Sequence, residues 1–179
     1  LNKKCVTVVS AALAAILLGG CSQVSDEKAG KKADVRDEQA VKQSVEQASS
    51  EILDILAVKG KVTQPGAVAT SCTAYPEEDE VHRLRHPWSV YGVPGDDLEK
   101  AMDRLRAQLP AKGWKIVKDG PDKSRAKLPQ IVANSRDGHL SADLRLWREP
   151  ADSKRSSMIE VTVVSDCFRS KPDGTTPTR

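Results

Sequence analysis

Apolar residues early in the chain recur at spacings of three and four: Val41, Val45, Ala48, Ile52, Ile55 and Leu56. That period lays one apolar stripe along a helix, with Gly60 as its stop. The stripe is under three heptads long, so packing on the domain's own sheet is its expected role, ahead of a coiled-coil seam. A second stripe, Leu98, Ala101, Met102, Leu105 and Leu109, begins at the capping-box pair Asp96 and Glu99 and ends at Gly113, with Pro110 in its last turn. Elsewhere the period falls to two. Leu140, Ala142, Leu144 and Leu146 alternate with Ser141, Asp143, Arg145 and Trp147, so that strand buries one face and turns the other to solvent or a partner. Ile159, Val161 and Val163 repeat the pattern in the strand expected over 157–168. Further strands are expected over 62–75, interrupted by Pro65-Gly66, and over 84–93, 114–118, 130–134 and 139–148, with Arg136-Asp137-Gly138 as the turn between the last two. Pro65 and Pro87 point to edges or bulges, because proline donates nothing to a ladder.

The implied order is helix, two strands, helix, then about four strands, which predicts an α+β fold: a two-layer sandwich with both helices on one face of a mostly antiparallel sheet. A doubly wound parallel sheet would need helices alternating with strands, and none follows Gly113. This single domain is expected over 40–169. Residues 21–39 are charged and lack aromatic side chains, so they read as a flexible tether of about 18 residues, holding the body roughly 20 to 25 Å from its attachment point. Residues 170–179, rich in proline and threonine, read as a disordered tail.

The first twenty residues have a separate logic. Asn2-Lys3-Lys4 precedes an uncharged, mostly apolar run over 6–18, the layout of an export signal, and Gly19-Gly20 breaks the run before it is long enough to span a bilayer. Leu18-Gly19-Gly20-Cys21 resembles the lipobox of bacterial lipoproteins. The resemblance implies that the Cys21 thiol carries diacylglycerol, that the chain is cut before Cys21, and that the domain sits on the extracytoplasmic face of the cell membrane. Two acyl chains, at about 0.8 kcal/mol per buried methylene, hold such a domain stably.

With Cys5 removed and Cys21 lipidated, Cys72 and Cys167 remain as an even pair. Thiols oxidise outside the cytoplasm, so a disulfide is expected, closing a loop of roughly 95 residues. Cys167 shares the parity of Ile159, Val161 and Val163, which predicts that it points toward the core. A metal or redox site on the same two cysteines lacks a CxxC spacing or third ligand.

Charge adds only an exclusion. The net charge is +3, and loss of Lys3 and Lys4 leaves 26 basic against 25 acidic side chains, too even to call for a nucleic-acid partner. No serine has the flanks of a Gly-x-Ser-x-Gly elbow. His82 and His86 are spaced for a helical zinc pair, but on a strand they stand about 13 Å apart and read as surface or turn residues. His139 reads as a hairpin residue. Asp96, Asp97 and Asp152 read as caps and solvated loop positions, and the acidic stretch 76–80 lacks the EF-hand pattern. The basic loop 119–125 offers backbone amides to an anion, although it is not a P-loop and serves more simply as a strand connection. Residues 86–92 carry Trp88 and Tyr91 at opposite parity, so one points inward, and core packing is the expected role ahead of stacking on a sugar or glycopeptide. No catalytic residue, metal ligand or cofactor is expected.

The lipobox, Ser71-Cys72-Thr73, the aromatic strand, Gly113-Trp114-Lys115-Ile116-Val117 and Val163-Val164-Ser165-Asp166-Cys167-Phe168 are together similar to small actinobacterial lipoproteins of the LppA type. This resemblance implies a two-cysteine extracytoplasmic α+β domain and brings no activity with it. The expectation is a non-catalytic binding or accessory module of the envelope, partnered by the membrane and by an envelope protein or cell-wall ligand. A cell-wall-directed hydrolase with an unrecognised site is the alternative.

Overall fold

The structure, a computed structural model, describes residues 32–63, 65–150 and 152–172. The export signal, Cys21, tether residues 22–31 and tail residues 173–179 lie outside the described residues.

The first stripe folds as α1 (Glu38–Leu56), with Asp37 as its N-cap accepting the Ala40 N–H at 2.8 Å. Its end differs from the expected stop at Gly60. Ala57 takes the left-handed conformation at φ 48° and closes the helix by donating to the Leu53 carbonyl, while Arg104 of the second helix donates to the Leu56 carbonyl. Gly60 serves close approach instead: a Cβ there would come within 2.7 Å of the Tyr91 carbonyl oxygen and of Val93. The second stripe folds as α2 (Gly95–Gln108), followed by a 3-10 turn over Leu109–Lys112 that ends at Gly113, φ 87°. Asp96 and Glu99 form no capping box. Pro94 is the N-cap, its carbonyl accepting from Asp97 and Leu98, and both acids reach outward to Arg148.

The strands are β1 (Asp34–Arg36), β2 (Lys61–Val62), β3 (Val68–Ser71), β4 (His82–Tyr91), β5 (Trp114–Pro121), β6 (Pro129–Ser135), β7 (Leu140–Trp147), β8 (Met158–Ser165) and β9 (Phe168–Ser170). They form one nine-stranded sheet, antiparallel except where β1 runs parallel to β9. β4 lies inside it. Arg85 pairs with Val68 on one side and Val164 on the other, and His82 pairs with Ser71 and Phe168. Thus β2 and β3 are two pieces of one edge, and β8 and β9 two pieces of the strand beyond. Pro87 is therefore not on an edge strand, as its chemistry suggested. It stands opposite the gap between β2 and β3, where no ladder partner needs its missing N–H.

The other departures occur at the ends. Residues 34–39, expected as tether, form β1 and the first turn of α1, held by the β9 ladder and by an Arg36–Asp166 ion pair at 2.7 Å. The final strand breaks at Asp166, whose N–H turns aside to the His139 carbonyl. That break resets the parity, so Phe168 takes the core position and Cys167 does not.

Both helices pack on one face of the sheet. Ile52, Leu56, Leu98, Met102 and Leu105 meet Leu144, Ile131, Ile159 and Val161, all essentially inaccessible to solvent. Each such side chain contributes about 1.5 to 3 kcal/mol on burial. The Cys72–Cys167 disulfide, with Cα atoms 6.3 Å apart, belongs to a separate small cluster with Ala33, Val81 and Tyr75. Val81 has the parity of Arg83 and Arg85, so this cluster lies at a corner of the opposite face.

Two predictions follow from these ends and closures. Ala57→Gly relieves a left-handed alanine and raises stability by about 1 kcal/mol, whereas Gly60→Ala lowers it by about 1 to 3 kcal/mol through overpacking; urea unfolding measures both. Reducing Cys72–Cys167 lowers stability by about 4 kcal/mol on the chain-entropy model, read as a drop in urea midpoint with reductant against an unchanged Cys72→Ala/Cys167→Ala control.

Candidate functional site

The gap between β2 and β3 opens the covered side of β4 to solvent beside α1. Glu46, Ser49 and Leu53 of α1 form one wall, Thr63 lies across from them, and His86 and Trp88 of β4 form the floor of a cleft of about 270 Å³. His86 and Trp88 share the parity of the core positions Leu84 and Val90, so the strand's own alternation aims them here. His86 Nδ1 is 2.8 Å from Ser49 Oγ. Burial lowers the pKa of His86 below its ordinary value, partly opposed by the negative charge of Glu46. Trp88 is 5% exposed, and its indole N–H has no hydrogen-bond partner among the described residues. A buried donor left unpaired costs about 1 to 3 kcal/mol.

Ser49 and His86 are the nearest approach to a nucleophile and base, and their setting works against that role. Ser49 is 4% exposed in the middle of α1, where backbone amides are committed to the helix and leave no pair of donors for an oxyanion. Proton transfer from Ser49 would also create an imidazolium at a position whose burial disfavours it. The pair is a polar contact that fixes the cleft wall.

The remaining candidates are dispersed. His82 is not a surface or turn residue: it packs its ring on Phe168, centroids 4.6 Å apart, with Nε2 3.4 Å from Glu38 and 3.3 Å from Ser170 Oγ. His139 does sit at the β6–β7 hairpin, 3.2 Å from Asp166. The acidic stretch forms an exposed 3-10 turn over Glu77–Asp79, and no metal-holding group of His, Cys, Asp or Glu occurs among the described residues. In the loop after β5, the Asp122 carboxylate accepts from the Ser124 hydroxyl and from the Ser124 and Leu128 amides, contacts that hold its pKa below the ordinary carboxylate range, the hydroxyl most of all. The chain's own carboxylate thus occupies the amides an external anion would need. Of the aromatic pair, Trp88 points inward and Tyr91 to the far face.

That far face is the larger exposed feature, because no helix of the described residues covers it. Residues opposite one another on neighbouring strands share a face. One row across it runs Arg85, Val164, Ser141, Asn134, Lys115. The next runs Pro87, Thr162, Asp143, Val132, Lys118, and a third Ser89, Glu160, Arg145, Gln130. Lys61, Tyr91, Met158 and Trp147 close the end. Gln130 ties the middle together, donating to Asp143 at 2.8 Å and accepting from Lys118, while Arg145 pairs with Asp143 at 2.8 Å. Alternation in β7 made one exposed face legible; its charge emerges only from the register of six strands.

The lowered pKa of His86 has a testable sign. Its value in the unfolded chain exceeds its folded value, so its contribution to stability is complete above the unfolded pKa and is lost as pH falls through the folded one. Stability of the native chain should fall between about pH 7 and 5 more steeply than that of His86→Gln; matching slopes in urea titrations would refute the buried-imidazole account. Beyond this chain the geometry has no counterpart to borrow from: no protein-family model, curated protein or solved structure matches it.

Proposed function

We propose that the protein is a lipoprotein held through lipid on Cys21 at the extracytoplasmic face of the cell membrane, where its domain acts as a non-catalytic binding or accessory module of the envelope. The observation that carries the reading is the Cys72–Cys167 disulfide. Such a bond persists in an oxidising compartment, which agrees with an export signal ending in a lipobox-like Leu18-Gly19-Gly20-Cys21. The α1–β4 cleft supports the binding part. Its His86 imidazole, whose pKa burial lowers, its Ser49 hydroxyl and its apolar Leu53 suit a small uncharged group with a few polar atoms, as in a glycopeptide fragment of the wall. Among the described residues no helix is long and apolar enough to cross a membrane, so the reading assigns attachment to lipid on Cys21.

Intact mass of the membrane-extracted protein tests the reading. The expected result is a chain beginning at Cys21 with added diacylglycerol, gaining about two hydrogen atoms in mass when a reductant supplies two electrons and two protons to the disulfide. A chain retaining residues 1–20 without lipid, with both thiols free, overturns it. For the cleft, Leu53→Trp fills the space, and loss of glycopeptide binding at unchanged unfolding midpoint is the outcome the proposal requires.

A further inference from the structure

We infer that the uncovered face of the sheet is a docking surface for an anionic lipid bilayer, on which the domain lies flat with α1 and α2 turned away. The orientation rests on the lipid-anchor reading above; the affinity of the face for anionic headgroups does not.

Charge is divided between the two sides of the molecule. The strands β4 to β8 and β2 present Lys61, Arg83, Arg85, Lys115, Lys118 and Arg145 on the uncovered face against Asp143 and Glu160, while the exposed acids Glu77, Glu78, Asp79 and Glu80 are confined to the loop at its Ala33–Val81 corner. α1 and α2 together hold eight acidic and four basic side chains. A chain that is almost neutral as a whole is therefore basic over the strands of its uncovered face, away from the 77–80 corner, and acidic over its helices. Among the described residues, Lys61, Arg83, Arg85 and Lys115 make no ion pair, so their charge is not spent within the domain. Both acids are engaged: Asp143 by Arg145 and Gln130, and Glu160 by the Trp147 indole N–H at 2.9 Å. Basic side chains near an anionic leaflet gain Coulomb attraction that falls off within a Debye length.

Two further features select a bilayer over a soluble polyanion. Tyr91, Met158 and Trp147 stand side by side, half-buried, at one end of the face. Aromatic side chains with a polar tip favour the headgroup level of a membrane, where one end is apolar and the other wet. Second, the chain enters the domain on this face. Ala33 packs with Val81, Cys72 and Cys167 at its corner, and Lys32 precedes it. Eleven residues lead from Cys21 to Lys32, a contour of at most about 40 Å, and the run from Arg83 to Tyr91 along β4 covers about 26 Å. An anchor on so short a lead keeps this face within reach of the headgroups.

The test uses the chain from position 21 onward as Cys21→Ser, so that no lipid contributes. It should sediment with equimolar phosphatidylglycerol–phosphatidylcholine vesicles and not with pure phosphatidylcholine, and should release between about 0.05 and 0.5 M salt. Arg83→Glu/Arg85→Glu should weaken binding about tenfold or more, while Lys42→Glu/Lys100→Glu on the helical side leaves it unchanged. Brominated acyl chains should quench fluorescence that disappears in Trp147→Phe, since Trp88 and Trp114 are buried. Equal binding to both vesicle types, no binding at low salt, insensitivity to the Arg83/Arg85 reversal, or binding to soluble polyphosphate without binding to vesicles overturns the inference. Because the probe is unlipidated, each of these outcomes is independent of what intact mass shows about Cys21.

Discussion

Everything in this fold follows from burying a broad sheet on one side only. Two helices, fourteen and nineteen residues long, supply apolar stripes for a single layer, and the alternation in β4, β7 and β8 directs every core side chain toward that layer. A strand with period two cannot bury its second face without a second covering layer. The uncovered face is thus a consequence of the pattern, and the side chains it presents are largely polar or charged. The same arrangement leaves the broken edge formed by β2 and β3 as a place where solvent reaches the helical side of β4.

The architecture was legible wherever local periodicity and tertiary packing agreed. Both stripes became helices, the alternating strands paired antiparallel, and the even cysteines joined. Misreadings fell where long-range contacts override local signals. Three residues, Asp34–Arg36, carry no periodicity of their own and form a strand only because β9 lies beside them. Asp96 and Glu99 have capping-box spacing, yet Pro94 sets the helix start and Arg148, far along the chain, takes both carboxylates. Cys167 kept the expected partner and lost the expected direction, because Asp166 interrupts the strand just before it.

The cleft was harder to see than the fold. His86 was set aside because its spacing to His82 suits no metal on a strand, and that spacing argument holds. What it could not supply is the contact with Ser49, thirty-seven residues earlier on a different element. Parity alone leaves open which of Trp88 and Tyr91 points inward; the pairing of β4 with its neighbours assigns the core position to Trp88, whose ring is packed away. Charge on the far face shows the same limit from another direction: a nearly neutral total conceals two opposed surfaces until register sorts the side chains.

The pairing of β1 with β9 also decides how the domain bears mechanical load. Tension arriving through the segment before Lys32 meets β1 first, and β1 is fastened to β9 by its ladder and to the neighbouring turn by Arg36 on Asp166 and over the Phe168 ring. Asp166 is bonded directly to Cys167, and Cys167 is bonded covalently to Cys72. Any pull on the chain at Lys32 would therefore meet the β1–β9 ladder and a covalently closed loop ahead of the first turn of α1, so this corner is braced before the core behind it is reached.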